Sequence, residues 1–202
     1  MSKLAAHWQV VNFRQAHGLF ACCGILFNHE SPRRGESFVS RRISLGLARV
    51  HAGQQECLTL GNLEARRDWG HAADYVRAQW LMLQQSQPDD YVIATGEQHS
   101  VRDFVEAAAA ELGMRLAWEG EGTDELARVA GVDGGGAVRP GQVVVRVAAE
   151  NLRANDVHCL QGDAAKARRL LDWTPTVRFD ALVREMVASD RALVAGTRDQ
   201  RG

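Results

Sequence analysis

The sequence has little of what would point to a nucleic-acid or membrane partner. Its 202 residues include 24 basic and 25 acidic side chains, a net charge of -1, so bulk charge favours neither nucleic acid nor an anionic membrane. The longest apolar run, Leu19 to Phe27, is about half of what a bilayer span requires. The first residues also lack the basic segment, apolar core and cleavage site of a signal peptide. We therefore expect a cytoplasmic protein that binds neither nucleic acid nor membrane.

Two common site motifs are also missing. The four cysteines form no CxxC pair, and Cys22 and Cys23 lie in the apolar run, which favours core thiols in a reducing compartment over a zinc site. No strand is followed by a GxGxxG or GxxGxxG loop and then a helix, the arrangement that seats a dinucleotide pyrophosphate. The glycines at 134–136 lead into a predicted strand, so they offer no helix N-terminus to a phosphate. We predict no metal site.

What is present predicts an α/β fold. A composition of 46% hydrophobic and 24% charged residues suits one globular domain, or one domain with part of another. The run at 19–27 is too continuously apolar for a sheet with one wet face, which predicts a buried parallel strand. The stretch between residues 119 and 143 is predicted to be a surface excursion. Apolar periodicity and capping signals predict helices at 3–17, 38–52, 73–85, 100–112, 163–171 and around 182–187, and further strands at 57–60, 91–94, 116–119 and 143–147.

Several side chains on the third predicted helix, or just before it, allow two interpretations. We interpret four of them as core residues and not as stacking platforms: Trp69, Trp80, Met82 and Leu83. His71 and Asp74 lie at i and i+3 and could ligate a metal ion. Because no third ligand is nearby in sequence, a hydrogen bond at the start of the helix is the favoured alternative.

Three long ordered segments are far more specific than a short motif. They read GILFNHESPRRGE at 24–36, LGNLEARRDWGH at 60–71 and DYVIATG at 90–96. Together they resemble GDP-mannose 4,6-dehydratases, which belong to the extended short-chain dehydrogenase/reductase class. The resemblance implies the C-terminal part of an NAD(P)-binding Rossmann-like fold with a smaller mixed α/β substrate-binding domain. It places the last Rossmann elements at about 1–35 and 55–95, and a sugar-nucleotide-binding subdomain at about 36–54 and 96–195.

The resemblance also implies a reaction. Bound NADP takes a hydride from C4 of the mannose ring of GDP-mannose, water is eliminated across C5 and C6, and the hydride returns to C6. The product is GDP-4-dehydro-6-deoxy-mannose, a precursor of GDP-fucose, GDP-rhamnose or another deoxyhexose. In this family a catalytic tyrosine and lysine lie four apart on one helix, and Lys3 matches the lysine, so the resemblance implies a catalytic role for Lys3. The tyrosine, a threonine, a glutamate and the N-terminal βαβ units would precede Met1, so we expect the chain alone to be inactive.

The family's binding residues can be carried over only position by position. By resemblance, Lys3, His29 and Arg34 contact NADP. The residues that the resemblance assigns to the sugar nucleotide are Asn28, Arg42, Gly61, Asn62, Arg67, Arg153 and Asp156. Their chemistry agrees with those roles. A cation in the first turns of a helix, such as Arg42, is disfavoured unless an anion is near, and the guanidinium fork of Arg67 suits paired phosphate oxygens.

The resemblance weakens near the C-terminus. Where the family has a segment like DPRYFRPxEV, residues 148–157 read AAENLRANDV. Arg153 and Asp156 keep the charges, but Glu150 reverses one and Ala154 loses a proline, so we expect altered nucleotide affinity.

A sheet without its first strands would expose apolar surface, which predicts a homo-oligomer or association with a full-length subunit. Three hypotheses stay open: a dehydratase that starts further upstream, a GDP-sugar-binding or assembly module, and an inactive remnant.

Overall fold

The computed structural model describes residues 1–152 and 155–199. They divide into two compact units. The first unit comprises Met1–His29, Asp68–Glu97 and Gln161–Arg178, and the second comprises the described parts of Glu30–Arg67, Gln98–Leu160 and the segment from Phe179 onward. In the described part of the chain, no helix is both long and apolar enough to cross a membrane.

The described residues combine six α-helices with ten strands, which confirms the predicted α/β class. The helices are α1 Ser2–His17, α2 Val39–His51, α3 Ala72–Leu83, α4 Val101–Glu111, α5 Ala165–Leu171 and α6 Phe179–Asp199. The strands are β1 Cys23–Leu26, β2 Asn28–Glu30, β3 Leu58–Leu60, β4 Arg66–Arg67, β5 Trp69–His71, β6 Asp90–Ile93, β7 His99–Ser100, β8 Met114–Glu119, β9 Leu126–Val132 and β10 Val143–Val147.

The first unit is built on the parallel pair of β1 and β6. Cys23 lies opposite Asp90 at one end, and Leu26 lies opposite Ile93 at the other. Helices α3 and α5 pack on β6 and enclose one apolar cluster. Its buried members are Tyr75, Ala78, Met82, Tyr91, Ile93, Ala164, Ala167, Leu171 and Trp173. The helix α1 ends as predicted at Gly18, which adopts the left-handed conformation that glycine tolerates without strain.

Three predictions for this unit need correction. The buried strand predicted at 19–27 is only four residues long, and Ile25 in its middle is half-exposed. Trp69 and Met82 are core residues as predicted, but Trp80 and Leu83 are not, because they lie on the exposed face of α3. The predicted core thiols Cys22 and Cys23 are free and only half-buried. The predicted helix-start hydrogen bond is confirmed, because the His71 ring accepts from the backbone N–H of Ala73.

The second unit combines a four-stranded sheet with three helices. The strand order is β3-β10-β9-β8, with β3 and β10 parallel and the other pairs antiparallel. Helix α4 packs on β8, α2 packs near β3, and both contact α6. Ser100 and Asp103 form the predicted capping box at the start of α4. The buried side chains of these helices include Ile43, Leu47, Phe104, Leu182 and Met186.

The prediction of a surface excursion between residues 119 and 143 is wrong. Strand β9 lies inside this stretch and occupies an interior position of the four-stranded sheet. Its residues alternate between the core and solvent as a strand requires, but the core face is made of Ala127, Val129 and Gly131. Two of these three side chains are too small to give a recognisable apolar alternation.

Candidate functional site

Two segments of the second unit run side by side and collect most of the residues that the resemblance assigns to the sugar nucleotide. The parallel pairing of β3 with β10 continues beyond both strands, because Ala148 donates to the carbonyl oxygen of Leu60 over 2.9 Å. Further along, Arg66 donates to the carbonyl of His158 over 2.8 Å. We refer to residues 58–67, together with the described part of 148–160, as the cradle.

The two segments lie close together at Gly61. A Cβ added at residue 61 would lie 2.4 Å from the carbonyl oxygen of Asn151 and 2.9 Å from its carbonyl carbon. These are backbone atoms, so the requirement for glycine here is one of space. The next residue, Asn62, uses its side-chain oxygen to accept from the backbone N–H of Glu64 over 2.9 Å, which shapes the turn after β3.

Arg42 reaches the cradle from helix α2. Its guanidinium donates to the side-chain oxygen of Asn151 over 3.1 Å. Helix α2 is held in place by Arg41, the residue before Arg42, because Arg41 forms an ion pair with the buried carboxylate of Asp190 over 2.7 Å. Ser44 donates to the same carboxylate over 2.6 Å. Since Asn151 is uncharged, its hydrogen bond orients Arg42 without neutralising the positive charge.

Arg67 ties the end of the first segment to the second. Its guanidinium forms an ion pair with Asp156 over 2.8 Å and also donates to the carbonyl oxygen of Val157 over 2.5 Å. Both side chains are mostly shielded from solvent, so the pair is stronger than a typical surface ion pair. Arg42, Gly61, Asn62, Arg67 and Asp156 thus all lie in or against the cradle. Arg153 lies outside the described residues.

The first unit contains a buried carboxylate that the sequence analysis did not single out. Asp68 is 1% exposed and accepts four hydrogen bonds. Thr95 donates through its backbone N–H at 2.9 Å and its hydroxyl at 2.7 Å, and Gly96 and Gly162 donate their backbone N–H groups at 2.9 and 3.3 Å. The carboxylate therefore joins the loop after β6 to the segment before α5. In the sequence, Asp68 stands between Arg67, which the resemblance assigns to the sugar nucleotide, and Trp69, which is predicted to be a core residue. This position could have identified Asp68 as a residue of interest.

The residues predicted to contact NADP differ in how much of their side chains is already engaged. Lys3 lies exposed in the first turn of α1. In β2, the Nδ1 atom of His29 lies 2.8 Å from the carbonyl oxygen of Phe27, and the adjacent Asn28, which the resemblance assigns to the sugar nucleotide, is half-buried. A proton on Nδ1 leaves Nε2 of this ring as a hydrogen-bond acceptor.

Arg34 belongs to the second unit, and its side chain is turned inward. Its Nε atom lies 3.2 Å from the carboxylate of Glu30, and its guanidinium stacks 3.6 Å above the ring of Phe38. The ammonium of Lys3 can donate to hydroxyl or phosphate oxygens of a nucleotide, and Nε2 of His29 can accept from a hydroxyl group. The charge of Arg34 is already paired with that of Glu30. The roles of Lys3, His29 and Arg34 stay predictions.

The family model and the curated relatives that this chain matches carry the same description. A family model described as GDP-mannose 4,6 dehydratase matches residues 1–186. The human GDP-mannose 4,6 dehydratase is 53% identical over 193 residues, which cover 96% of this chain and 50% of the human protein. The Vibrio cholerae enzyme is 51% identical over 192 residues, covering 94% of this chain and 52% of its own length. The chain spans about half the length of the curated relatives it matches.

Solved structures agree on the fold. RMD from Pseudomonas aeruginosa, complexed with NADPH, superposes with a TM-score of 0.74 at 19% identity, over 95% of this chain and 55% of that one. A dTDP-glucose 4,6-dehydratase from Bacillus anthracis, in complex with NAD, gives a TM-score of 0.69 at 17% identity, over 93% of this chain and 50% of that one. With the family match over most of its length, this chain belongs to the GDP-mannose 4,6-dehydratase family.

Proposed function

We propose that this chain carries the sugar-nucleotide-binding part of a GDP-mannose 4,6-dehydratase, the enzyme that converts GDP-mannose to GDP-4-dehydro-6-deoxy-mannose. The observation that supports this most strongly is the cradle, where Arg42, Gly61, Arg67 and Asp156 are held by two segments that are distant in sequence. The function that follows is to bind and orient GDP-mannose.

The charges of the cradle suit a nucleoside diphosphate. A diphosphate offers paired anionic oxygens, and an arginine guanidinium binds such pairs through two parallel N–H donors. Asn151, the hydrogen-bond partner of Arg42, is neutral and so does not compensate the positive charge of this arginine. Arg67 is held by Asp156, so in the complex it would divide its donors between this carboxylate and the ligand. Asp156 would remain an acceptor for hydroxyl or amino groups of the nucleoside.

A nicotinamide cofactor, NADP in this proposal, would accept the hydride from the sugar and return it. Two neighbours of similar fold were solved with NADPH and with NAD, which supports a cofactor of this class. Lys3 and His29 would hold its ribose and phosphate groups by hydrogen bonds and charge. The proton on Nδ1 of His29, fixed by the carbonyl of Phe27, would keep Nε2 available as an acceptor.

Binding of GDP-mannose to the full 202-residue chain, measured by titration calorimetry, tests the proposal. We expect saturable binding, and we expect Arg67→Ala to weaken it by about 10- to 100-fold, because a hydrogen bond between charged groups contributes about 1.5–3 kcal/mol. Arg42→Ala should weaken it to a similar degree. The matched control is Arg115→Ala, which removes an arginine whose ion pair with Asp133 is far more exposed.

The outcomes separate clearly. Loss of affinity in the two cradle variants but not in Arg115→Ala would support the proposal. A folded wild-type chain that produces no heat with GDP-mannose would reject it, and so would equal affinity in all four proteins. UDP-glucose serves as the ligand control, since it carries the same diphosphate on a different base and sugar.

We also propose that the chain associates with a second copy of itself or with a full-length subunit. Val76, Trp80 and Leu83 recur at helical spacing on α3 and are each about 60% exposed, and an apolar stripe of this kind favours association. Light scattering of the purified chain should give more than a monomer's mass, and Trp80→Gln should shift the mass toward the monomer. A wild-type chain that is monomeric across the accessible concentration range would contradict association with a second copy and leave the full-length subunit as the partner.

A further inference from the structure

Three side chains with metal-binding chemistry meet in the first unit, away from the cradle. His7, Cys23 and Asp90 each offer one ligand atom, and these atoms all lie within 4.8 Å of one another. Cys23 and Asp90 are register partners at the start of the β1–β6 pair. The backbone N–H of Cys23 also donates to the carboxylate of Asp90 over 3.0 Å. The sheet itself therefore fixes the thiol next to the carboxylate.

The imidazole comes from helix α1, which is anchored over the same strands. Arg14 donates through Nε to the carbonyl oxygen of Ala21 over 2.8 Å, and its guanidinium pairs with Asp90. His7 lies two turns before Arg14, so both project from the same face of the helix. The ring of His7 is further constrained by an edge-on contact with the Trp8 ring, with the two centroids 5.4 Å apart. All three candidate ligands are half-buried, so an ion can reach them from solvent.

Although the sequence predicts no metal site, we propose that His7, Cys23 and Asp90 form a binding site for a divalent metal ion with the preferences of zinc. An imidazole nitrogen, a thiolate sulfur and a carboxylate oxygen are the three ligand types that zinc takes in proteins, and three protein ligands leave a fourth position for water. Zinc–ligand bonds of about 2.0–2.3 Å at tetrahedral angles put the ligand atoms about 3.3–3.8 Å apart. The three groups reach this spacing by side-chain shifts of about 1 Å.

The charges balance when the ion binds. A cysteine side chain is mostly a protonated thiol at neutral pH, and only its thiolate form binds a metal ion. On binding, the sulfur–hydrogen bond is replaced by a sulfur–metal bond and the proton leaves to solvent. The thiolate and the carboxylate then neutralise the two positive charges. Arg14 opposes the cation by its own charge, but it favours the thiolate and orients Asp90, as a hydrogen-bonded outer partner of a ligand does.

Cobalt(II) is the probe for this site, because it adopts zinc geometries and its bond to a thiolate gives a near-ultraviolet charge-transfer absorption. The full chain is titrated with Co²⁺ and then with Zn²⁺ as competitor. We expect one Co²⁺ per chain with this absorption, and its loss when Zn²⁺ is added. Cys23→Ser should abolish the absorption, and His7→Ala should weaken Co²⁺ binding at least about tenfold. The matched control is Cys22→Ala, which removes the adjacent thiol and should change neither.

Several results would overturn the site. They are a folded wild-type chain without the absorption, an absorption that survives in Cys23→Ser or disappears in Cys22→Ala, and unchanged Co²⁺ affinity in His7→Ala. Circular dichroism establishes that each variant is folded. If Cys23→Ser does not fold, His7→Ala decides the matter, because His7 lies on a helix that has no buried residues.

Discussion

Replacing Gly61 with alanine tests whether the cradle depends on the close approach of its two segments. The added Cβ would lie 2.4 Å from the carbonyl oxygen of Asn151, where an ordinary van der Waals contact requires about 1 Å more. The backbone at residue 61 is compatible with alanine, because its φ is not in the left-handed region. The substitution therefore acts only through space, by pushing the two segments apart.

The magnitude follows from two costs. Overpacking by one methyl group against atoms that cannot rotate away costs about 1–3 kcal/mol. If the segment at 148–152 moves, Arg42 loses its hydrogen bond to Asn151, worth about 1 kcal/mol. We expect Gly61→Ala to lower the free energy of unfolding by about 2–4 kcal/mol, the sum of these two costs. We expect it to weaken GDP-mannose binding by about 5- to 30-fold, which corresponds to about 1–2 kcal/mol.

Urea unfolding and titration calorimetry measure the two effects on the same samples. Gly135→Ala is the matched control, because a Cβ at that glycine meets no heavy atom within 4 Å. Equal unfolding midpoints and equal GDP-mannose affinities in the two variants would refute the reasoning. A loss of stability without loss of affinity would show that the junction supports the fold but not the ligand.

Three further predictions use the same urea assay. Asp68→Asn should lower the free energy of unfolding by about 3 kcal/mol, because the new amide N–H₂ would face backbone N–H groups that now donate to the buried carboxylate. The control is Asp133→Asn at an exposed site, which should have little effect. Burial, with the nearby charge of Arg191, lowers the pKa of His51. The stability that His51 contributes is therefore complete above its unfolded pKa of about 6.5 and is lost as pH falls through its lower folded-state pKa, and His51→Gln should flatten this loss. Ser100→Ala removes the cap of α4 and should cost about 1 kcal/mol, and an unchanged midpoint would contradict the capping role.

Local signals predicted most helices and several strands correctly. Gly18 ends α1 in the left-handed conformation, and the Ser100–Asp103 pair caps α4, because both signals act within one helical turn. Strand β9 was missed for a local reason as well. Ala127 and Gly131 fill its core-facing positions, and residues this small give little apolar contrast with the solvent-facing ones.

Other errors arise from what a sequence pattern does not contain. The spacing of Trp80 and Leu83 along α3 identifies an apolar stripe on the helix. The spacing does not show whether another part of the chain covers that stripe, and here both side chains are exposed. The sequence also does not show that Glu30, four residues before Arg34, forms an ion pair with it, and the NADP contact of Arg34 stays a prediction.

The cradle itself could be predicted only through the family resemblance. Arg42, Gly61 and Asp156 are distant in sequence, and nothing in their spacing indicates that β3 and β10 run parallel and bring them together. Asn151 was not recognised as a partner of Arg42, because it stands where the family segment has a tyrosine. Pairings of this kind depend on tertiary structure and not on local propensity.

The most direct test of the account is a hydrogen-exchange footprint of GDP-mannose on the full chain. When GDP-mannose binds, we expect slower amide hydrogen exchange in peptides covering residues 58–67, 148–152 and 155–160. In these peptides the amides of Arg66, Ala148 and Leu160 join the two segments of the cradle. UDP-glucose at the same concentration should protect these peptides less. Protection confined to other parts of the chain, or none at saturating GDP-mannose, would contradict the assignment of the cradle as the sugar-nucleotide site.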